Sequence, residues 1–171
     1  MNKVNGYTLL ELTVCLGIVA IMLGVAVPNF ESALARNKQT EATNLLIGAL
    51  HYARGSAVYG RTVVSLCTGL STCTDSQLWD QNILIFTDEN KNGKLDNVEI
   101  LLQQISTPTD LNWQWSNFRS TSYLQYEPDG STRALNGTFT LCHAGQPLQQ
   151  VVINLTGRVR TQKPGASARC R

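Results

Sequence analysis

Thr8 to Val27 is a run of twenty residues carrying a single charge, Glu11. Nothing else in the chain constrains its folding as strongly. About twenty apolar residues, each rising 1.5 Å along a helix, span a bilayer core of ~30 Å. The short polar leader Met1–Gly6 holds one basic residue, Lys3, and no small-x-small cleavage site follows Val27. An ordinary secretory signal would carry such a site after the apolar stretch. Here the run continues into a helical pattern. Phe30, Ala33/Leu34, Leu45/Leu46, Ala49/Leu50, Ala53 and Ala57 recur at three- and four-residue intervals, with Arg36, Lys38, Glu41 and Arg54 mostly between them. The spacing predicts one helix from Tyr7 to about Tyr59, roughly 80 Å long. Its first half is apolar all round. Its second half has one apolar stripe, and Gly60 is the expected stop.

Beyond Gly60 the composition turns to β. Val63–Cys67, Trp79–Phe86, Val98–Ile105, Leu111–Phe118, Tyr123–Tyr126, Thr138–His143 and Gln150–Leu155 are rich in β-branched and aromatic residues. Gly, Pro, Asn and Asp punctuate them. The expected class is α+β: a long N-terminal helix, half transmembrane and half amphipathic, packed on antiparallel sheet, with Pro164–Ser167 flexible in composition.

Gly6-Tyr7-Thr8-Leu9-Leu10-Glu11, followed by an apolar stretch ending in Pro28, resembles the processing site of type IV pilins and pseudopilins. The resemblance implies three parts: a leader (1–6), a membrane or filament-core helix (7–28) and a head outside the cytoplasm (29–171). A prepilin peptidase would cut after Gly6 and methylate the amine of Tyr7, where the family usually has Phe. It further implies that Glu11, the fifth mature residue, meets the N-terminal amine of a neighbouring subunit during assembly. A carboxylate in a membrane helix costs roughly 2.5–3.5 kcal/mol on insertion scales, which favours such a role over a Glu snorkelling to the headgroups. The protein would then sit in the inner membrane by one span, with a periplasmic head, before joining major and minor pilins in a pilus at the cell surface.

Of five cysteines, Cys15 lies in the apolar run and reads as a small buried hydrophobe. Cys67, Cys73, Cys142 and Cys170 lie in the exported part, where an even count points to two disulfides with three connectivities open. Cys67–Cys73 across a polar loop and Cys142–Cys170 at the chain end are favoured over a zinc site, which lacks ligand spacing. Loop closure would stabilise by about 2.5 and 3.5 kcal/mol.

Asp88, Asn90, Asn92, Gly93 and Glu99 match every specified position of an EF-hand loop, so calcium is the one metal ion to weigh. The flanks read as strands, however, and the competing reading is a β-hairpin turning at Asn92-Gly93. His51 and His143 have no nucleophile signature or phosphate loop near them, so an enzyme is not expected.

The net charge of +2 is unevenly spread. Gly157–Arg171 holds Arg158, Arg160, Lys163, Arg169 and Arg171 and no acid, whereas Tyr7–Thr156 has eight basic and twelve acidic residues, a net −4. An extended Gly157-Arg158-Val159-Arg160 puts both guanidinium groups on one side. Arginine forks suit phosphate oxygens, and clustered cations release counterions from nucleic acid. Few aromatic residues accompany the tail, which argues against base stacking. On charge alone, a solvated tail or a contact to a neighbouring pilin is equally compatible.

Together with the N-terminus, the Cys67–Cys73 loop before Trp79 and the Phe86–Gly93 hairpin, this motif resembles the GspH/FimT family of minor pilins, in particular its FimT branch. The resemblance implies that Arg158 and Arg160, with Lys163, Arg169 and Arg171, bind double-stranded DNA without sequence preference during DNA uptake in natural transformation. The alternative is a purely structural minor pilin, or a type II secretion pseudopilin, that primes or caps a filament.

Overall fold

The computed structural model describes residues 8–108, 110–166 and 168–170. The chain forms two compact units, one ending at Lys38 and the other starting at Gln39. A single helix, α1 (Leu9–Gly60), runs through both. Thr8 caps it: its hydroxyl accepts from the Glu11 amide at 3.3 Å, and its carbonyl accepts from Leu12 N–H at 3.2 Å. Glu11 therefore also lies in the first turn, where a negative charge meets the positive end of the helix dipole. Tyr7, the expected first helical residue, lies outside the described residues.

In the first unit the apolar side chains face outward: Leu9, Leu10, Ile21 and Met22 are all exposed. By length and composition this stretch is sufficient to cross a membrane. Cys15 is exposed too, rather than buried as expected.

The second unit buries the stripe Ala42, Leu46, Ala49, Leu50, Ala53 and Ala57. It joins one core with two antiparallel sheets. The strands are β1 (Val64–Thr68), β2 (Leu78–Trp79), β3 (Ile83–Thr87), β4 (Leu101–Ile105), β5 (Asn112–Asn117), β6 (Leu124–Tyr126), β7 (Gly137–His143), β8 (Gln146–Ile153) and β9 (Val159–Gln162). One sheet has the order β4-β3-β1-β6, the other β2-β5-β7-β8-β9. Alternation along β5 sends Trp113 and Trp115 inward, where with Trp79 they surround Phe139 at ring-centroid distances of 6.3, 4.2 and 4.7 Å. The Trp79 and Trp115 indoles donate to the Ser122 and Tyr123 carbonyls, so neither ring brings an unmet donor into the core.

The sequence reading differs from this in three strands. Trp79–Phe86 divides at Asp80–Asn82 into two strands that join different sheets. Val98 and Ile100 are exposed loop residues before β4 begins. The run after Gly157 is a full strand, β9, rather than a tail. Both favoured disulfides are present, Cys67–Cys73 and Cys142–Cys170, with Cα separations of 5.5 and 5.8 Å.

The acidic segment is neither a two-residue hairpin nor an open ligand loop. It is the long β3–β4 connection, folded around the fully buried Asp88. The Asp88 carboxylate accepts from Ser65 Oγ, Gln125 Nε2 and the amides of Asn92 and Gly93. Three of these donors meet Oδ2 and one meets Oδ1. Gly93 has φ +72°, and a Cβ there would run into the Tyr123 ring. Asn90 and Asn92 aim their amide nitrogens at Asp96, whose carboxyl they hold below its usual range. Glu99 accepts from the Asp96 amide through one oxygen and buries the other without a partner. Desolvation, reinforced by the charges of Asp88 and Asp96, pushes its carboxyl up. Among the described residues no three His, Cys, Asp or Glu are arranged to hold a metal ion.

Two outcomes follow from the packing. Leu50→Ala removes a fully buried side chain from the helix–sheet core and should cost about 2–5 kcal/mol in urea unfolding. A carboxyl raised on folding favours the neutral form, so charged Glu99 weakens the fold at neutral pH and that penalty fades as pH falls through the raised value. Glu99→Gln should raise Tm at pH 7, by roughly a few degrees at most, with the gain vanishing under acid conditions. A gain independent of pH would contradict this reading of Glu99.

Candidate functional site

The β8–β9 hairpin turns at Asn154-Leu155-Thr156-Gly157. Asn154 organises it: its side-chain oxygen accepts from Arg158 N–H at 2.8 Å and Thr156 Oγ at 2.9 Å, and its carbonyl accepts from Gly157 N–H at 3.0 Å. Gly157 has φ +75°, and a Cβ there would collide with the Gly130 carbonyl and press on the Tyr126 ring. The glycine of the motif is thus required twice, by its backbone conformation and by close packing.

Arg54 of α1 fixes the same turn from the other side. Its Nε donates to the Gly130 carbonyl at 3.0 Å and its Nη2 to the Thr156 carbonyl at 3.1 Å. One rigid guanidinium fork joins two turns far apart in sequence. Helical periodicity had classed Arg54 only as a polar residue between apolar ones. Its role depends on where the turns at 130 and 156 meet the helix, and no local spacing reveals that.

Register decides which cations share a face. Arg160 lies opposite Val152, Gln162 opposite Gln150, and Gln150 opposite Thr140. Val151, Ile153, Phe139 and Leu141 point into the core, so the alternate residues occupy the outer face of the five-stranded sheet. Arg158 and Arg160 are exposed and, with Asn154 and Val152, line one surface recess of about 390 Å³. Arg169 lines a second recess of about 350 Å³ on that outer face, with Gln114, Thr138, Thr140 and Gln150.

The tail reaches this position because it is tied back. Cys170 is bonded to Cys142 of β7, and Gln150 Oε1 accepts from Gln162 Nε2 at 3.1 Å and the Gly165 amide at 3.4 Å. Within the stretch read as flexible, Gly165 is therefore tied to the sheet. Lys163, just after β9, is exposed but lines neither recess. Gly6, Tyr7 and Arg171 lie outside the described residues. His143 Nδ1 stands 2.9 Å from the Asp110 carbonyl, and His51 is exposed on α1.

Comparison with known proteins agrees with this architecture. The sequence model of the family described as type II transport protein GspH matches residues 42–157, and that of the prokaryotic N-terminal methylation motif matches residues 1–27. Two fimbrial proteins of Pseudomonas aeruginosa are 29% and 27% identical to the chain, over 59% and 63% of it and 70% of each of them. The crystal structure of the type IV minor pilin FimU of Pseudomonas aeruginosa superposes with a TM-score of 0.59 at 20% identity, covering 80% of this chain and 96% of that one. A second crystal form of FimU gives 0.54 at 21% identity, over 78% and 97%. At these identities the likeness to FimU is one of fold. The apolar N-terminal helix, the methylation motif and the head with its two sheets come together in one assignment: the chain belongs to the GspH family and is a membrane-anchored, pilin-like protein.

Proposed function

We propose that the chain is a minor pilin that binds double-stranded DNA through its phosphate backbone, without sequence preference, and so supports DNA uptake in natural transformation. The observation that carries the reading is the pair Arg158 and Arg160, exposed together over one recess on a hairpin that Gly157, Asn154 and Arg54 hold rigid. Arg169 adds a third cation on the same sheet face. Guanidinium forks positioned in advance lose little freedom on meeting phosphates. Among the described residues the lining of the Arg158/Arg160 recess holds no aromatic ring, so phosphate and not base is what it fits.

The rest of the proposed life cycle rests on the N-terminus. Prepilin peptidase cleaves after Gly6 and methylates Tyr7, the head projects into the periplasm from a single inner-membrane span, and Glu11 pairs with a neighbouring pilin's amine on assembly. The second reading, a purely structural minor pilin or type II secretion pseudopilin, is favoured by the family match itself, which says nothing of DNA.

The test is a titration of duplex DNA with the chain in detergent. Each phosphate contact adds about −0.9 to the slope of log affinity against log salt, worth roughly tenfold at 0.1 M salt. Arg158→Gln with Arg160→Gln should therefore weaken binding about a hundredfold and flatten the slope by about 2. Unchanged affinity in that variant, with its thermal melting intact, would leave the structural reading. Gly157→Ala should cost more than about 1 kcal/mol of stability. It should also weaken DNA binding while both arginines remain, because it displaces the hairpin that presents them.

A further inference from the structure

Three of the eight cations in the otherwise acidic stretch Tyr7–Thr156 gather in one place. Lys91 from the β3–β4 loop, Arg119 from the β5–β6 turn and Arg133 from the β6–β7 loop line a recess of about 310 Å³ beside Tyr123 and Gln125. One carboxylate opposes them. Glu127 takes Arg133 Nη1 at 3.2 Å and Lys91 Nζ at 3.6 Å, with only 19% of its own side chain exposed. Among the described residues Arg119 has no acidic partner. The recess therefore keeps a local charge of about +2.

The backbone that presents these cations is firmly set. Asn117 closes the Arg119 turn by accepting from the Arg119 and Thr121 amides at 3.0 and 3.1 Å and donating to the Thr121 carbonyl at 2.8 Å. Lys91, Ser120, Arg133 and Ala134 all hold positive φ, between 45° and 60°. Such conformations persist in non-glycine residues only where the surroundings over-determine them.

The recess is also linked to the arginine hairpin. Thr132, next to Arg133, donates its amide to the Leu155 carbonyl at 3.0 Å and its hydroxyl to the Asn154 carbonyl at 3.2 Å. Asn154 in turn bonds the Arg158 backbone from both sides. Two hydrogen-bonded crossings and one peptide step put the Cα atoms of Arg133 and Arg158 within roughly 15 Å.

We infer that Lys91, Arg119 and Arg133 form a second phosphate-binding station, which extends the Arg158/Arg160 surface into one track along a single duplex. The inference rests on the DNA reading above. Phosphodiester is favoured over an acidic peptide because the recess is hydrogen-bonded, through Thr132 and Asn154, to the hairpin that already presents paired guanidinium groups.

The chain in detergent is titrated with duplex DNA over a range of salt, as wild type, Arg119→Gln, Arg119→Gln with Arg133→Gln, and Arg158→Gln with Arg160→Gln. Arg119→Gln alone removes an exposed cation with no acidic partner among the described residues. It should lower affinity roughly tenfold at 0.1 M salt and flatten the slope by about 0.9; the Arg119/Arg133 pair should flatten it by about 2. Unchanged affinity and slope in both Arg119 variants, while the Arg158/Arg160 variant loses binding, overturns this inference and leaves the DNA reading standing. The same holds if those variants alter only incorporation into pili. Absence of DNA binding by the wild type overturns both.

Discussion

The buried stripe on the second half of α1 is the contact on which the head depends. Ala42, Ala49, Ala53 and Ala57 contribute little side-chain volume, so Leu46 and Leu50 provide the helix's bulk in the core it shares with Val64, Leu66 and the tryptophan–Phe139 cluster. Burying two leucines and four alanines there contributes several kcal/mol by area. It also fixes the rotation of the helix about its axis. That rotation aims Arg54 at the turns around Gly130 and Thr156, and so ties the packing of the core to the placement of the arginine hairpin.

A good share of this was legible in the residues. The apolar run and the three- and four-residue spacing defined α1 to within its ends, because helical amphipathicity is a local signal. The disulfides were legible from loop length and from the position of each cysteine. The strand after Gly157 was not, since Arg, Thr and Gln on an outer edge strand carry no alternating apolar pattern; its pairing is determined by β8. The Asp88 loop matches a ligand template, but its first carboxylate is buried and bonded to four protein donors. Ser65 and Gln125, which supply two of those donors, lie 23 and 37 residues away, beyond any local pattern.

Charge shows the same contrast between sequence and space. Along the chain the head reads as an acidic body with a basic tail. In three dimensions Cys170 and Gly165 are tied back to the sheet by Cys142 and Gln150, and Lys91, Arg119 and Arg133 line one recess from three separate loops, two of them paired with Glu127. Cations that are scattered in sequence form two recesses joined through Thr132 and Asn154. Such a surface suits a long polyanion better than a small ligand, because its cations offer separate contacts over more than one recess.

The central claim is that this pilin head meets DNA by its backbone, and salt tests it most directly. Affinity for duplexes of unrelated sequence, measured from about 50 to 200 mM salt, should fall with a log–log slope of −3 or steeper and be equal across sequences. A flat salt dependence, or affinity confined to one sequence, would contradict the account.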